Sequence, residues 1–87
     1  MIEKELEVKG RAGIHARPAS KLAEVASSFS SSVEIIKDTM TVNAKSIMGI
    51  ITLGATYKTK LLFKINGPDE REAMAAIEKL FDHNFEE

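Results

Sequence analysis

The sequence predicts an α+β fold in which a four-stranded, mainly antiparallel sheet carries three helices on one face, in the order β-α-β-β-α-β-α. Three observations predict this class. Four segments alternate apolar and polar residues or are rich in β-forming residues, which predicts strands. Three other segments repeat apolar residues at intervals of three and four, which predicts helices. The length of 87 residues leaves room for only one core. We therefore expect a single domain over residues 1–87, with the helices packed on one side of the sheet.

The first strand and the first helix follow from two different periodicities. Residues 2–9 alternate apolar and charged side chains, as a half-buried strand does, with Lys4 as the one exception. Pro18 suits the first turn of a helix, because its φ is already helical and its missing N–H would have no partner there. The serine-rich residues 27–32 end this helix and are expected to be a simple connector. The apolar stripe of the helix consists of Leu22, Val25, Ala26 and Phe29.

The middle of the chain predicts a hairpin followed by a short helix. Residues 33–37 and 40–43 are rich in β-forming side chains and flank the turn Asp38-Thr39. Ser46 is expected to be the N-cap of the short helix. The polar residues 56–60 separate that helix from the next strand. The apolar residues of the short helix are Ile47, Met48, Ile50 and Ile51.

The last strand and the closing helix complete the fold. Residues 61–66 alternate, and Asn66-Gly67-Pro68 turns the chain. Asp69, with Glu72 three residues later, resembles a capping box in which the Asp69 side chain caps the helix. His83 lies at the helix end, where we expect a solvated imidazole near the negative pole of the helix dipole. The core-facing residues are Ala73, Met74, Ile77, Leu80 and Phe81.

Composition excludes several classes of function. The absence of cysteine excludes disulfides, thiolate zinc sites and cysteine nucleophiles. The two histidines stand far apart, so no metal site and no cofactor are expected. A net charge of −1 argues against nucleic-acid binding. No apolar run has the length of a signal peptide or a membrane span, which predicts a cytoplasmic protein without a membrane partner.

The charge is distributed unevenly along the chain. Residues 1–66 carry ten basic and six acidic side chains, whereas residues 67–87 carry two and seven. One interpretation is that acidic residues gather at the start of the last helix, where its dipole favours them. The other is that the first part presents a basic face to an anionic ligand or an acidic partner. Its residues would be Arg11, Arg17, Lys21 and Lys45.

His15 is the strongest candidate for chemistry, because it lies at or just before the cap of the first helix. Free backbone N–H groups and the helix dipole favour an anion there, and Arg17 can pair with phosphate oxygens in a fork. A neutral imidazole at such a place suits a transient phosphohistidine: the imidazole attacks phosphorus, and the other groups hold the three oxygens. From the residues alone, an exposed loop histidine without a function remains an open alternative.

Ser46 and the short helix also allow two interpretations. The serine side chain would cap the helix, and a phosphate added to it would meet the same N–H groups and dipole. Ile47, Met48 and Ile51 cannot all face the sheet on so short a helix, so one side is expected to be an exposed apolar patch. Packing of these residues in the core remains the alternative.

Two motifs resemble the HPr family of histidine-containing phosphocarriers of the phosphoenolpyruvate-dependent phosphotransferase system. Gly13-Ile14-His15-Ala16-Arg17-Pro18-Ala19 resembles the active-site signature of the family. Asn43-Ala44-Lys45-Ser46-Ile47-Met48-Gly49 resembles its regulatory-serine signature. The length and the element order fit as well, so the resemblance covers essentially the whole chain. It implies the open-faced β-sandwich of the family.

The resemblance also implies roles for particular residues. His15 would accept a phosphoryl group on Nδ1 from phosphorylated enzyme I and pass it to enzyme IIA domains for sugar uptake, and Arg17 would stabilise that group. The chain would be a carrier, not a stand-alone enzyme, and a monomer. Ser46 would be the target of the ATP-dependent HPr kinase/phosphorylase, with a catabolite-control transcription factor as a further implied partner. The partner-binding residues would be Ser20, Lys21, Ile47, Met48 and Ile51.

Three alternative functions compete with this interpretation. Residues 67–87 look somewhat like those of HPr-like proteins that serve a nitrogen-related phosphotransferase branch without sugar transport. A purely regulatory binding module, in which His15 is never phosphorylated, belongs to another class, but His15 and Arg17 occur together here. RNA binding would need exposed aromatic residues on the strands and a basic face, and the five aromatic residues lie mostly on predicted core stripes.

Overall fold

Seven elements follow one another in the order that the alternation and the helical spacing predict. A computed structural model describes residues 1–86 of the chain. The elements are β1 (Ile2–Glu7), α1 (Ala16–Ser27), β2 (Ser32–Lys37), β3 (Met40–Asn43), α2 (Ile47–Thr52), β4 (Lys60–Asn66) and α3 (Glu70–Asp82). The predicted fold class is confirmed.

The sheet has the strand order β1-β4-β2-β3, and all three neighbouring pairs are antiparallel. Its register brings the inward side chains into rows, with Ile65 of β4 opposite both Ile2 and Val33. Side chains of the other parity, such as Glu3 and Lys64, lie on the uncovered face. The largest fully buried apolar side chains come from strands, helices and the loop after β1: Phe63, Leu22, Ile35, Ile50, Leu61, Ile65, Ile77, Val8 and Val33.

The first helix begins at Ala16, so Pro18 lies in its first turn, as its fixed φ predicts. The helix ends at Ser27, and the N–H of Ser28 is shared between the carbonyls of Glu24 and Val25. Phe29 lies beyond the helix but still packs against the core. Within the described residues no helix is both long and apolar enough to cross a membrane.

The expectation that the serine-rich residues are a simple connector is wrong. Ser31 is only 1% exposed, and its hydroxyl donates to the carboxylate of Asp69 at 2.5 Å. The same carboxylate accepts the N–H of Ser30 and of Ser31, each at 2.9 Å. These hydrogen bonds hold the pKa of Asp69 below its ordinary value, with the Ser31 hydroxyl the largest cause.

The predicted capping box at the start of α3 is also wrong. Asp69 does occupy the N-cap position, but its side chain makes no capping bond, because the carboxylate is turned toward Ser30 and Ser31. The neighbouring Glu70 instead accepts the N–H of Gly67 at 3.1 Å. The Asp69 carboxylate therefore joins the start of α3 to residues 30 and 31, and does not form the local cap that the spacing predicts.

Lys4, the exception in the alternation of β1, has a partner on the last helix. Its Nζ lies 2.8 Å from Oε2 of Glu78. Nearby, Lys9 pairs with Asp82 at 3.2 Å, and the amino group of Met1 pairs with Glu70 at 3.1 Å. The acidic residues of α3 therefore neutralise cations at the beginning of the chain.

Candidate functional site

The loop before α1 is fixed by backbone contacts. The N–H of Ile14 donates to the carbonyl of Ala55 at 3.0 Å, and the N–H of Gly13 donates to that of Gly10 at 3.0 Å. Gly13 has a φ of 71°, and a Cβ at this position would lie 2.6 Å from the Ala55 oxygen. The Ile14 side chain is also buried, with 6% exposure. Backbone hydrogen bonds and this buried side chain together fix the loop directly before His15.

His15 is the N-cap of α1, as the sequence predicts. Its carbonyl accepts the N–H of Ala19 at 3.0 Å, but its side chain makes no capping bond. The residue is exposed. The first N–H groups of a helix have no partner inside it, and the helix dipole makes this end positive. The imidazole therefore stands free at a helix end that favours an anion.

Arg17 lines the same cavity as His15. This cavity has a volume of about 260 Å³ and is bordered by His15, Arg17, Pro18, Asn84, Phe85 and Glu86. Among residues 1–86, no carboxylate forms an ion pair with the Arg17 guanidinium. A guanidinium without a carboxylate can pair with an incoming phosphoryl group in a fork. A larger concavity of about 540 Å³ lies on the open face of the sheet, and no histidine lines it.

Ser46 is the N-cap of α2, as predicted, and its hydroxyl oxygen accepts the N–H of Gly49 at 3.0 Å. The short helix divides its apolar residues between core and solvent. Ile50 is fully buried, whereas Ile47 is 43% and Met48 69% exposed. Ile51 is half-buried against the core. The expected exposed apolar side is therefore present at Ile47 and Met48, and Ile51 reaches it only in part.

The other predicted site residues lie on the same layer of helices. Ser20 is exposed and Lys21 half-buried on α1, which packs against α2. Lys45 directs its Nζ to the carbonyl of Phe29, at 2.9 Å. The two motifs thus occupy neighbouring helices.

Sequence reasoning missed two groups of residues, one that lines the cavity of His15 and one that contacts Arg11 in the loop before α1. The first is the chain end at Asn84, Phe85 and Glu86, which lines the cavity although no local pattern in the sequence marks it. The second is Tyr57, whose ring lies 5.8 Å from the guanidinium of Arg11 and 5.4 Å from Nζ of Lys58. Within residues 1–86, no cluster of three or more His, Asp or Glu side chains has a geometry that suits a metal ion.

An exposed imidazole at a helix start, an arginine in the same cavity and an open-faced α+β fold together define the class of small phosphocarrier proteins. The family model for the PTS HPr component phosphorylation site matches residues 2–83. The phosphocarrier protein HPr of Treponema pallidum (strain Nichols) is 46% identical over 87 residues, which cover 100% of this chain and 99% of that protein. This chain belongs to the HPr family and has a phosphocarrier role in the phosphotransferase system.

Solved structures agree with this assignment. The crystal structure of HPr-C-His from Thermoanaerobacter tengcongensis has a TM-score of 0.94 and 43% identity, and covers 100% of this chain and 99% of that one. The Bacillus subtilis protein Crh, whose crystal structure is described as a domain-swapped, intertwined dimer, has a TM-score of 0.77 and 33% identity, with both chains covered in full. The likeness extends over the whole fold in both cases.

Proposed function

We propose that this chain accepts a phosphoryl group on Nδ1 of His15 from phosphorylated enzyme I and transfers it to enzyme IIA domains for sugar uptake. The proposal depends mainly on one observation: the imidazole of His15 is exposed and uncommitted at the N-cap of α1, in one cavity with Arg17. The chain acts as a carrier in the cytoplasm and is not a stand-alone catalyst.

In each transfer one bond to phosphorus forms as another breaks. Nδ1 of His15 attacks the phosphorus held by enzyme I, the bond from phosphorus to the donor atom of enzyme I breaks, and the donor group takes up the proton that the His15 imidazole loses. Arg17 pairs with the phosphoryl oxygens and offsets their charge while the group waits for its acceptor. In the transfer to enzyme IIA, the acceptor group attacks the phosphorus, the bond from phosphorus to Nδ1 breaks, and the His15 imidazole regains the proton that the acceptor loses.

Docking to both partners uses the apolar side of α2 together with the neighbouring part of α1. Ile47 and Met48 are large apolar side chains left in solvent, which is typical of an interaction surface. Met adapts its shape to different partners, as a protein that visits two of them requires. Ser20, Lys21 and Ile51 extend this surface toward α1 and the core.

Phosphorylation of Ser46 by HPr kinase/phosphorylase would regulate the same surface. The hydroxyl is exposed at the start of α2, directly before Ile47 and Met48. A phosphate adds roughly two negative charges there and so repels an acidic partner. The phosphorylated form would be the one offered to a catabolite-control transcription factor.

The test of the carrier role is incubation with enzyme I and labelled phosphoenolpyruvate. We expect an acid-labile, alkali-stable label that is absent from His15→Ala and present in the matched control His83→Ala. His83 is a suitable control because it is the other histidine and does not line the cavity of His15. Absence of label from the wild-type chain, with an active enzyme I, would exclude the carrier role.

A second labelling experiment tests the regulatory serine. With ATP and HPr kinase/phosphorylase we expect an acid-stable label that Ser46→Ala lacks; a label that persists in this variant would assign another site.

We propose that the chain is a monomer, unlike the swapped Crh dimer, so light scattering on a sizing column should give the 9.6 kDa of one chain. A mass near twice that value would contradict the proposal.

A further inference from the structure

The chain end turns back onto the cavity that holds His15. After α3, Asn84 and Phe85 have φ angles of 50° and 61°, a left-handed conformation that a bulky side chain rarely adopts. The N–H of Phe85 donates to the carbonyl of Leu80 at 2.7 Å, and that of Glu86 donates to His83 at 2.9 Å. Residues 84–86, the C-terminal turn, thereby become one wall of the cavity.

The ring of Phe85 fastens this turn to the core. Phe85 is only 8% exposed, and its ring centroid lies 5.0 Å from that of Phe81. Phe81 in turn makes an edge-to-face contact with Phe63 of β4, with centroids 5.4 Å apart. Burial of the ring explains why a phenylalanine persists in a conformation that it otherwise avoids.

The turn also touches the loop that carries His15. A Cβ on Gly10 would lie 2.6 Å from Oδ1 of Asn84, so the Asn84 side chain rests directly on this glycine. The carbonyl of Gly10 accepts the N–H of Gly13, two residues before His15. One continuous set of contacts therefore joins the aromatic core, the C-terminal turn and the loop before His15.

We infer that Phe85 is a positioning residue for the phosphoryl group on His15. It holds the C-terminal turn as one wall of the cavity, which fixes the loop and closes that side of the phosphorus to water. The inference rests on the proposed phosphorylation of His15. The charged or titratable groups that line the cavity are His15, Arg17 and Glu86. Since the Glu86 carboxylate and a phosphoryl group repel each other, the turn needs an apolar anchor to stay in place.

Loss of the anchor should accelerate hydrolysis of the phosphohistidine. In that reaction a water oxygen bonds to phosphorus, the bond from phosphorus to Nδ1 breaks, the imidazole regains a proton and inorganic phosphate leaves. The experiment phosphorylates the chain with enzyme I and phosphoenolpyruvate, removes enzyme I, and follows the label at fixed pH. We expect Phe85→Ala to lose its label about tenfold faster than the wild type, because a small displacement of positioned groups has effects of this order or more.

Three further variants separate positioning from simple stability. Phe85→Leu keeps an apolar anchor and should lose its label at close to the wild-type rate. Met74→Ala removes a buried side chain of α3, the helix before the turn; Met74 does not line the cavity, and the label of this variant should persist as in the wild type. Gly10→Ala displaces the Asn84 side chain from the loop without touching the rings, and should accelerate the loss less than Phe85→Ala does. Equal half-lives in Phe85→Ala and the wild type, or equal acceleration by Met74→Ala, would overturn the inference.

Amide exchange in the unphosphorylated chain distinguishes this inference from the carrier proposal itself. If Phe85 fixes the loop, exchange of the Gly13 N–H should be about tenfold faster in Phe85→Ala and unchanged in Met74→Ala. Unchanged exchange in both variants would refute the positioning role even if His15 is phosphorylated. A wild-type chain that takes no label would refute the carrier proposal, while the exchange result would still decide whether Phe85 holds the loop.

Discussion

Replacement of Gly13 by alanine tests how the fold holds the loop before His15. The residue has a φ of 71°, a conformation that costs a residue with a side chain about 1–2 kcal/mol. The new Cβ would lie 2.6 Å from the Ala55 oxygen, which is the acceptor for the N–H of Ile14. Relief of this clash requires that hydrogen bond to lengthen or break, which costs about 1 kcal/mol more. We therefore expect Gly13→Ala to lower the free energy of unfolding by about 2–3 kcal/mol.

Gly54→Ala is the matched control. Gly54 has nearly the same φ, 62°, but no heavy atom lies within 4 Å of the position its Cβ would take. Gly54→Ala should therefore lower the free energy of unfolding only by the cost of the left-handed conformation, about 1–2 kcal/mol. Urea titration followed by circular dichroism measures both variants, and the difference between them should be about 1 kcal/mol, or about 4–8 °C in Tm for a domain of this size. Equal destabilisation of the two variants would refute the steric argument.

The remaining predictions concern stability at other positions. The folded-state pKa of Asp69 lies below its ordinary 3.8, so the carboxylate contributes fully to the free energy of unfolding above pH 3.8, and this contribution is lost as the pH falls through the folded-state pKa. Urea midpoints measured against pH should show this loss, and the pH dependence should be absent from Asp69→Asn. Ser46→Ala deletes the N-cap bond to Gly49 and should cost about 1 kcal/mol in thermal unfolding, with Ser46→Asn closer to the wild type. Ile50→Ala should cost about 2–5 kcal/mol. Met48→Ala should change stability by less than about 0.5 kcal/mol and yet weaken binding to enzyme I in calorimetry; tight binding by this variant would remove Met48 from the docking surface.

The element order could be predicted from the sequence because each element has a strong local pattern. Alternation in β4 buries Leu61, Phe63 and Ile65, and the structure places all three in the core. The errors arose where distant residues compete with a local pattern. Asp69 has the spacing of a capping residue, but the serines of residues 30 and 31, far away in the chain, offer its carboxylate three donors. Sequence spacing contains no information about such a contact.

In the candidate site too, the residues within one local motif could be predicted from the sequence, and those placed by distant contacts could not. His15 and Arg17 share one helix start, so a single motif places both in the same cavity. The wall formed by Asn84 and Phe85 depends on a chain reversal after α3 and on ring contacts in the core. A left-handed phenylalanine is held by its tertiary packing and has no local signature, so the sequence alone could not have placed it beside His15.

The distribution of ion pairs explains how a chain with a net charge of −1 can present a basic surface. Three ion pairs join the first nine residues to α3, through Glu70, Glu78 and Asp82. The acidic helix therefore neutralises cations on its own side of the molecule. By contrast, Arg17 in the cavity of His15, and Arg11 and Lys58 beside the Tyr57 ring, have no carboxylate partner in the part of the chain that the structure describes.

These unpaired cations would serve two steps of the proposed transfer. At long range they attract an acidic partner surface and raise the association rate, an effect that added salt suppresses. At short range Arg17 meets the oxygens of the phosphoryl group. If the acidic residues of α3 paired with these cations instead, both attractions would weaken although the net charge and the fold stayed the same. For the proposed carrier, the placement of the ion pairs therefore matters more than the total charge.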